Sequence, residues 1–470
     1  MASLSPVKGG DGPLASAVHR AYATAHTMTH GATAGYIRPL READPDKFGV
    51  AVMPLPSSPY ATEAVSQEGG IFTLGDVDEE FTMQSIIKAF LNVFALEGEY
   101  ADELRRHVDV EPMGKAFNGQ DFIEVTDPVT GETCKRAYNN MVNSGAIATV
   151  AHIKPTQTHA ERFDYISKRM AQILGVESAA YSRSVMLHEE VDAHRNKAIL
   201  HALFAEGLIP DTPQNTPDVV LKLYLDACAI MTTVRNLCHA AAVLCSGGLD
   251  PVTGKSLIQE ATCEAVLCNM HSNGFYDGSG KWAMRNCGVA GKSGVHGGVM
   301  VVVPPPLSLA IAVWSPRLDP SGNSIRGMAF CNELLLSLGG NVFSRLRAYT
   351  PMATGLDGLV LPFVDAAHKD RLEDMKQLEN FAKRRYGSSL IHRGDYDSRT
   401  ALHLAVAHCR VRVVEWLVKC KADPDGVRDH WGKTPRDECE SLFAREPEFG
   451  GPQLAVAGRI KELLESQGKK

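Results

Sequence analysis

The stretch FTMQSIIKAF, residues 81–90, decides how this chain is read. It places Ser85 three positions before Lys88 in what otherwise reads as the start of an apolar helix. Residues three apart on a helix share a face, so the lysine can reach the serine. A serine hydroxyl is a weak nucleophile until a base takes its proton. A lysine can be that base only when neutral, and desolvation or the positive end of a helix dipole favours the neutral form. Phe81, Met83, Ile86, Ile87 and Phe90 supply a dry setting. The helix start also aims backbone N–H groups outward, where an oxyanion can rest. Taken alone, the pair favours an N-capping serine beside a solvated lysine over a catalytic dyad. Two other Ser-x-x-Lys matches, Ser5–Lys8 and Ser466–Lys469, sit near the termini and read as background.

Outward from this stretch, GKSGVHGG places Lys292, Ser293 and Gly294 at the opening of a strand-like run. Penicillin-recognising serine enzymes combine Ser-x-x-Lys on a helix with a later Lys-Thr/Ser-Gly on a strand. Between the two they carry an amide- or hydroxyl-bearing element, and NMVNSGAI offers Asn143 in that place. Three elements in the right order favour catalysis over the capping reading.

Composition narrows the alternatives. Of 470 residues, 44% are hydrophobic and 22% charged, as in ordinary globular proteins, and the length suggests two or three domains. The net charge of −7 and the lack of a long basic stripe argue against nucleic acid as a partner. Eleven cysteines are scattered without a Cys-x-x-Cys pair, which favours free thiols in a reducing, intracellular compartment over disulfides or a zinc site. No metal-ligand cluster is visible in the spacing, and no cofactor is expected. The most apolar run, GGVMVVVPPPLSLAIAVW, is broken by Pro304, Pro305 and Pro306, so it reads as two buried strands rather than a membrane span.

Three zones follow one another. Residues 1–28 read as a flexible tail without a secretory signal. They are rich in Ala, Ser and Thr and poor in acid, so a mitochondrial address and a cytoplasmic one both stay open. Residues 29–350 alternate helical and strand patterns. Strands are expected at KFGVAVMPL and on either side of the triple proline, a late helix at SIRGMAFCNELLLSLGG, and buried helices over 218–248. Residues 358–468 form an all-α repeat region. Thr400 and Thr434 open matching turns 34 residues apart, near the ankyrin period, and Thr400-Ala-Leu-His403-Leu-Ala approximates the T-P-L-H-x-A signature. Leu402, Leu404, Val413, Val414, Leu417 and Val418 need a neighbouring unit to be buried, and LPFVDAAHKDRLEDMKQLENFAKRR reads as a capping unit. His403 reads as a structural turn histidine.

The stretches FTLGDVDEEFTMQSIIK, EPMGKAFN, YNNMVNSGAI, GGLDPVTGKSL, MHSNGFYDGSGKWA, VAGKSGVHGGVMVVVP and AVWSPRLDPSGNSIRG resemble the serine-dependent glutaminases over nearly all of residues 29–350. DYDSRTALHLA resembles the ankyrin segment of eukaryotic-type members. The resemblance implies a serine β-lactamase/penicillin-binding-protein-like glutaminase domain, α+β, with a helical block and an antiparallel sheet, followed by ankyrin repeats. It implies hydrolysis of L-glutamine to L-glutamate and ammonia through a γ-glutamyl-serine intermediate. Carried over motif by motif, Ser85 is the nucleophile and Lys88 its base. Gln84 touches substrate, Tyr36 of GYIRPL matches the tyrosine that opens the domain, and Asn143 binds substrate. Glu189 and Asn196 of HEEVDAHRN keep the family spacing. Tyr224 and Tyr276 match two pocket tyrosines, Tyr276 also passing a proton to the leaving ammonia, and the Val295 backbone binds the substrate oxygen. A homo-oligomer, dimer or tetramer, and a protein partner for the ankyrin segment are implied in the same way.

Chemistry supports these roles. Free glutamine presents an ammonium that Glu189 can pair with and a carboxylate that asparagine amides can hold. The chain departs from the family at Asn140, where proline is usual, at Ser144, and at His296, expected at the pocket rim. A short insertion separates Asn196 from Tyr224. Two other readings remain: a silent scaffold that recruits partners through its repeats, and a β-lactam-directed enzyme of the same fold. The intact Ser85, Lys88, Asn143 and Lys292 disfavour the first. The amino-acid contacts expected of Glu189 and Asn196 disfavour the second.

Overall fold

The computed structural model describes residues 12–65, 67–114, 118–119, 121–126, 131, 133–343, 356–444 and 451–465. The chain divides into two compact units, Met1–Val342 and Phe343–Lys470. The background matches at Ser5–Lys8 and Ser466–Lys469 lie outside the described residues, as does most of the expected junction between the catalytic and repeat zones.

In the first unit, alternation along the strands builds a sheet buried on both faces. Its five strands are β1 (Gly49–Pro54), β2 (Phe72–Gly75), β7 (Ala290–Ser293), β8 (Gly298–Val303) and β9 (Leu309–Trp314), in the order β2-β1-β9-β8-β7. Every pairing is antiparallel. Val50, Val52, Val299, Val301, Val303, Leu309, Ile311 and Val313 face one side, packing with Leu14, Val18, Phe330 and Leu334 of the helices Pro13–His26 and Ile325–Leu338. Ala51, Met300, Val302, Ala310 and Ala312 face the other, against the helix Val234–Cys245 and the helical block. Successive strand side chains point to opposite faces, so burial of both explains why β8 and β9 read as unbroken apolar runs. The strands expected at KFGVAVMPL and around the triple proline are β1, β8 and β9.

The late helix spans Ile325–Leu338 and ends on Gly339 at φ 67°. The apolar stretch 218–248 is two helices, Pro217–Cys228 and Val234–Cys245, with β6 (Met231–Thr232) between them. β6 pairs with β3 (Phe81–Thr82), and this two-stranded bridge delivers the chain to Ser85. A further hairpin, β4 (Phe122–Thr126) with β5 (Thr133–Ala137), lies apart from the main sheet.

The flexible tail expected over 1–28 is corrected by the helix Pro13–His26, whose Leu14, Val18, Ala21 and Ala25 are buried. Pro13 at its first turn and the 4-3-4 spacing of those residues supply the helix signal. Residues 1–11 lie outside the described residues.

The second unit stacks helix pairs around its own core, with Phe363, Met375, Leu402, Val413, Val414 and Leu417 buried. Thr400 caps the helix Ala401–Ala407, and His403 Nδ1 accepts from the Thr400 N–H at 3.0 Å. His403 Nε2 lies 3.1 Å from the Lys433 carbonyl of the next repeat, so this histidine ties successive turns together. The second copy substitutes Asp437, whose carboxylate accepts from the Thr434 N–H at 2.9 Å. Among the described residues no helix is long and apolar enough to cross a membrane.

Candidate active site

β3 leads into a tight turn, Gln84–Ile86, followed by the helix Ile87–Leu96. Ser85 therefore sits just ahead of the helix, and Lys88 on its first turn. Both are buried, Lys88 completely. That excludes a solvated lysine. Burial pushes the Lys88 ammonium down to about 8, because removing water penalises the charged form. Nζ donates to Asn143 Oδ1 at 2.6 Å and lies 3.4 Å from the Met141 carbonyl. Among the described residues no carboxylate pairs with Lys88, and its hydrogen bonds go to residues 143 and 141, not to Ser85.

The turn carrying Ser85 is wedged against the strand carrying Lys292. A Cβ on Gly294 would stand 2.6 Å from the Met83 carbonyl oxygen, so only glycine permits this approach. Lys292 is also fully buried and donates to the carbonyls of Ser293, at 2.8 Å, and Gly274, at 3.2 Å. Burial first, and then the charge of Lys88, hold its ammonium well below the usual range. Its Nζ lies 4.4 Å from the centre of the Tyr276 ring. Tyr276 donates to the Ser293 carbonyl at 3.0 Å and is hydrogen-bonded to Ser85. Burial raises the Tyr276 phenol, and the Ser85 contact opposes that. Gln84 and Tyr276 both have left-handed backbones, at φ 49° and 53°. Two strained residues beside one serine mark a place where geometry is held by its surroundings.

Asn143 opens the helix Asn143–Ala151. It accepts from Lys88, lies 3.4 Å from the Tyr224 hydroxyl, and donates to Asn196 Oδ1 at 2.8 Å. A second group forms around Glu189. Tyr36 donates to Glu189 Oε1 at 2.7 Å and lies 3.4 Å from Gln84 Oε1. Tyr36 is 48% exposed as a residue while its hydroxyl makes this contact. Burial raises the Glu189 carboxyl, and its bonds to Tyr36 and Gln84 only partly offset this. No cation pairs with Glu189 among the described residues. Glu189 and Asn196 do not meet by a hydrogen bond: the first turns to Tyr36 and Gln84, the second to Asn143. Val295 lies in the turn between β7 and β8, and its N–H has no acceptor among the described residues.

Two features escape a reading of the sequence. Cys228 lies one helical turn after Tyr224 and hydrogen-bonds to it, and its thiol is pushed up to about 12 by burial and by Glu189. The spacing of four on an apolar helix was the available signal. His296, expected at the pocket rim, is half-buried: its Nδ1 accepts from the Thr82 N–H at 3.0 Å, and loss of water around the ring lowers it to about 4. Thr82 in turn receives the Gln84 side chain at 3.3 Å. Asn140, the departure from proline, is bonded by the Asn269 amide, which continues to Asn273 at 2.8 Å.

The glutaminase family model matches residues 31–343, and an ankyrin repeat model matches 397–426. The glutaminase of Trichormus variabilis is 34% identical over 335 residues, covering 71% of this chain and 92% of that protein. The mitochondrial liver-isoform glutaminase of Rattus norvegicus is 30% identical over 426 residues, 90% of this chain and 66% of the relative. The solved covalent complex of the Bacillus subtilis glutaminase YbgJ with 5-oxo-L-norleucine is 25% identical, covers 70% of this chain and 98% of that one, and superposes with a TM-score of 0.57. The helical block with its antiparallel sheet is thus the β-lactamase-like fold of solved glutaminases. With its family model spanning two thirds of the sequence, the chain belongs to the glutaminase family and is a glutaminase enzyme with an ankyrin repeat toward its C-terminus.

Proposed function

We propose that this glutaminase works through Ser85 as nucleophile and Lys88 as its base. The observation that carries the reading is a fully buried lysine, one turn from a buried serine, with no carboxylate partner among the described residues. A buried ammonium without a counter-ion is costly, so the amine is driven toward its neutral, proton-accepting form.

In this scheme Glu189 and Tyr36 receive the ammonium of L-glutamine, and the amides of Asn143 and Asn196 hold its carboxylate. Gln84 and Tyr224 close the pocket around the chain. The side-chain amide is then held against Ser85. Lys88 takes the Ser85 proton as Oγ bonds to the amide carbon. The N–H groups of Ser85 and Val295 stabilise the oxyanion, and the unengaged N–H of Val295 supports that assignment. The carbon–nitrogen bond breaks as the Lys88 ammonium passes the proton it took from Ser85 to the leaving nitrogen through Tyr276, which leaves Lys88 neutral; the contact of Tyr276 with Ser85 supports this route. Water, deprotonated by Lys88, then attacks the γ-glutamyl ester and frees glutamate and Ser85. The covalent complex named for the Bacillus relative supports a route through a covalent intermediate.

Within this reading residues 29–350 are the catalytic domain and 358–468 the ankyrin region, which docks a protein partner. Assembly into a dimer or tetramer is proposed on the resemblance alone. Ammonia release from glutamine by the wild type, and its loss in Ser85→Ala, tests the scheme. Unchanged release in Ser85→Ala removes Ser85 as the nucleophile.

A further inference from the structure

Three metal-ligating side chains converge away from the Ser85 pocket, where the helix Ala101–His107 packs on the helix Asn143–Ala151. Glu103 and His107 are four apart on the first helix and so share a face. His152 follows the last residue of the second. One carboxylate oxygen and one ring nitrogen from each histidine all lie within 4.8 Å of one another. Sequence spacing hides the group, because His107 and His152 are 45 positions apart.

The geometry is close to that of a bound ion. His107 Nδ1 and His152 Nε2 are 3.0 Å apart and share a hydrogen bond, which an ion between them would replace as His107 gives up its Nδ1 proton. Two nitrogens on one tetrahedral zinc, each at about 2.0–2.1 Å from it, are separated by about 3.3 Å. A shift of a few tenths of an ångström opens the pair to ligand spacing. The other nitrogen of His152 is anchored, with Nδ1 2.7 Å from the Ala148 carbonyl. A carbonyl only accepts, so Nδ1 carries the proton and Nε2 presents its lone pair to the cluster. An imidazole fixed in this way by a backbone carbonyl is the outer-shell arrangement that orients metal-binding histidines. Glu103 has no ion-pair or hydrogen-bond partner among the described residues. Burial lowers both imidazoles; at His107 Glu103 opposes this and Arg106 adds to it, and at His152 Arg162 adds to it, so the two arginines weaken the attraction for a cation.

We propose that Glu103, His107 and His152 bind one divalent transition-metal ion of the zinc class, with water completing the coordination. The ion clamps the helix Ala101–His107 to the far end of the helix that begins at Asn143. An ion that binds only the folded chain raises its stability by mass action.

Cobalt(II) titrated into the full-length chain tests the site, because its visible bands report nitrogen and oxygen ligation and zinc can be competed against it. Wild type is expected to gain one such site, displaced by zinc, with a rise in unfolding temperature when zinc is added. His107→Ala, at a half-buried ring, and the shape-conserving Glu103→Gln are each expected to weaken cobalt binding at least tenfold and to lose that rise. Equal cobalt affinity in wild type and both variants overturns the proposal. So does binding only with the near-ultraviolet bands of thiolate ligation, or no binding up to millimolar cobalt.

Discussion

Lys88 holds its Nζ 2.6 Å from Asn143 Oδ1, in a site where it is wholly removed from water. An amide oxygen accepts a hydrogen bond from an ammonium or from an amine, so it orients the nitrogen without requiring it to be charged. A carboxylate in the same place would have fixed the proton on the lysine. This choice of partner separates a base from half of a buried salt bridge.

Lys88→Ala is therefore expected to lower kcat by at least about a hundredfold, the lower range for loss of a positioned general base. Lys88→Arg is expected to do no better, because a guanidinium stays protonated. Steady-state ammonia release measures both, and a rate near wild type in either variant removes Lys88 as the base.

The pH profile follows from the same residue. Burial holds Lys88 down to about 8, so below that pH the base is mostly protonated. The prediction is that kcat/KM climbs as pH rises from 6 and levels off above about 8. A profile flat from pH 6 to 9 contradicts this.

Glu189 is a buried carboxylate bonded to Tyr36 and Gln84 and to no cation among the described residues. Glu189→Gln is expected to raise KM about tenfold or more, with a smaller effect on kcat, since it removes the charge facing the substrate ammonium. Tyr36→Phe is expected to shift KM in the same direction by less. Unchanged KM in Glu189→Gln places the ammonium elsewhere.

His296 reaches the nucleophile through Thr82 and Gln84. His296→Ala leaves the Thr82 N–H without its acceptor, at a cost of about 1–3 kcal/mol. The expected outcome is a lower unfolding temperature and a fall in kcat with KM little changed, partly restored by His296→Asn. Measuring kcat and KM separately distinguishes this positioning effect from simple loss of folded protein.

Much of this was legible from the chain because it is local. The spacing of Ser85 and Lys88, the strand alternation around the triple proline, and the Thr400–His403 cap are each set within a few residues. The helix Pro13–His26 was obscured by its small residues: Ala21 and Ala25 bury against the Ile325–Leu338 layer although their composition reads as a tail. What a spacing rule cannot give is the partner across the fold. Tyr36 meets Glu189 at a separation of 153 residues, and Thr82 meets His296 at 214, pairings that exist only once the helical block closes on the sheet.

The most direct test of the central claim is to react the full-length enzyme with 6-diazo-5-oxo-L-norleucine, the reagent named for the Bacillus relative, and to map the adduct by peptide mass spectrometry. The account predicts one adduct per chain, on Ser85, formed more slowly in Lys88→Ala and absent in Ser85→Ala. An adduct on Cys228, or one that persists in Ser85→Ala, contradicts it.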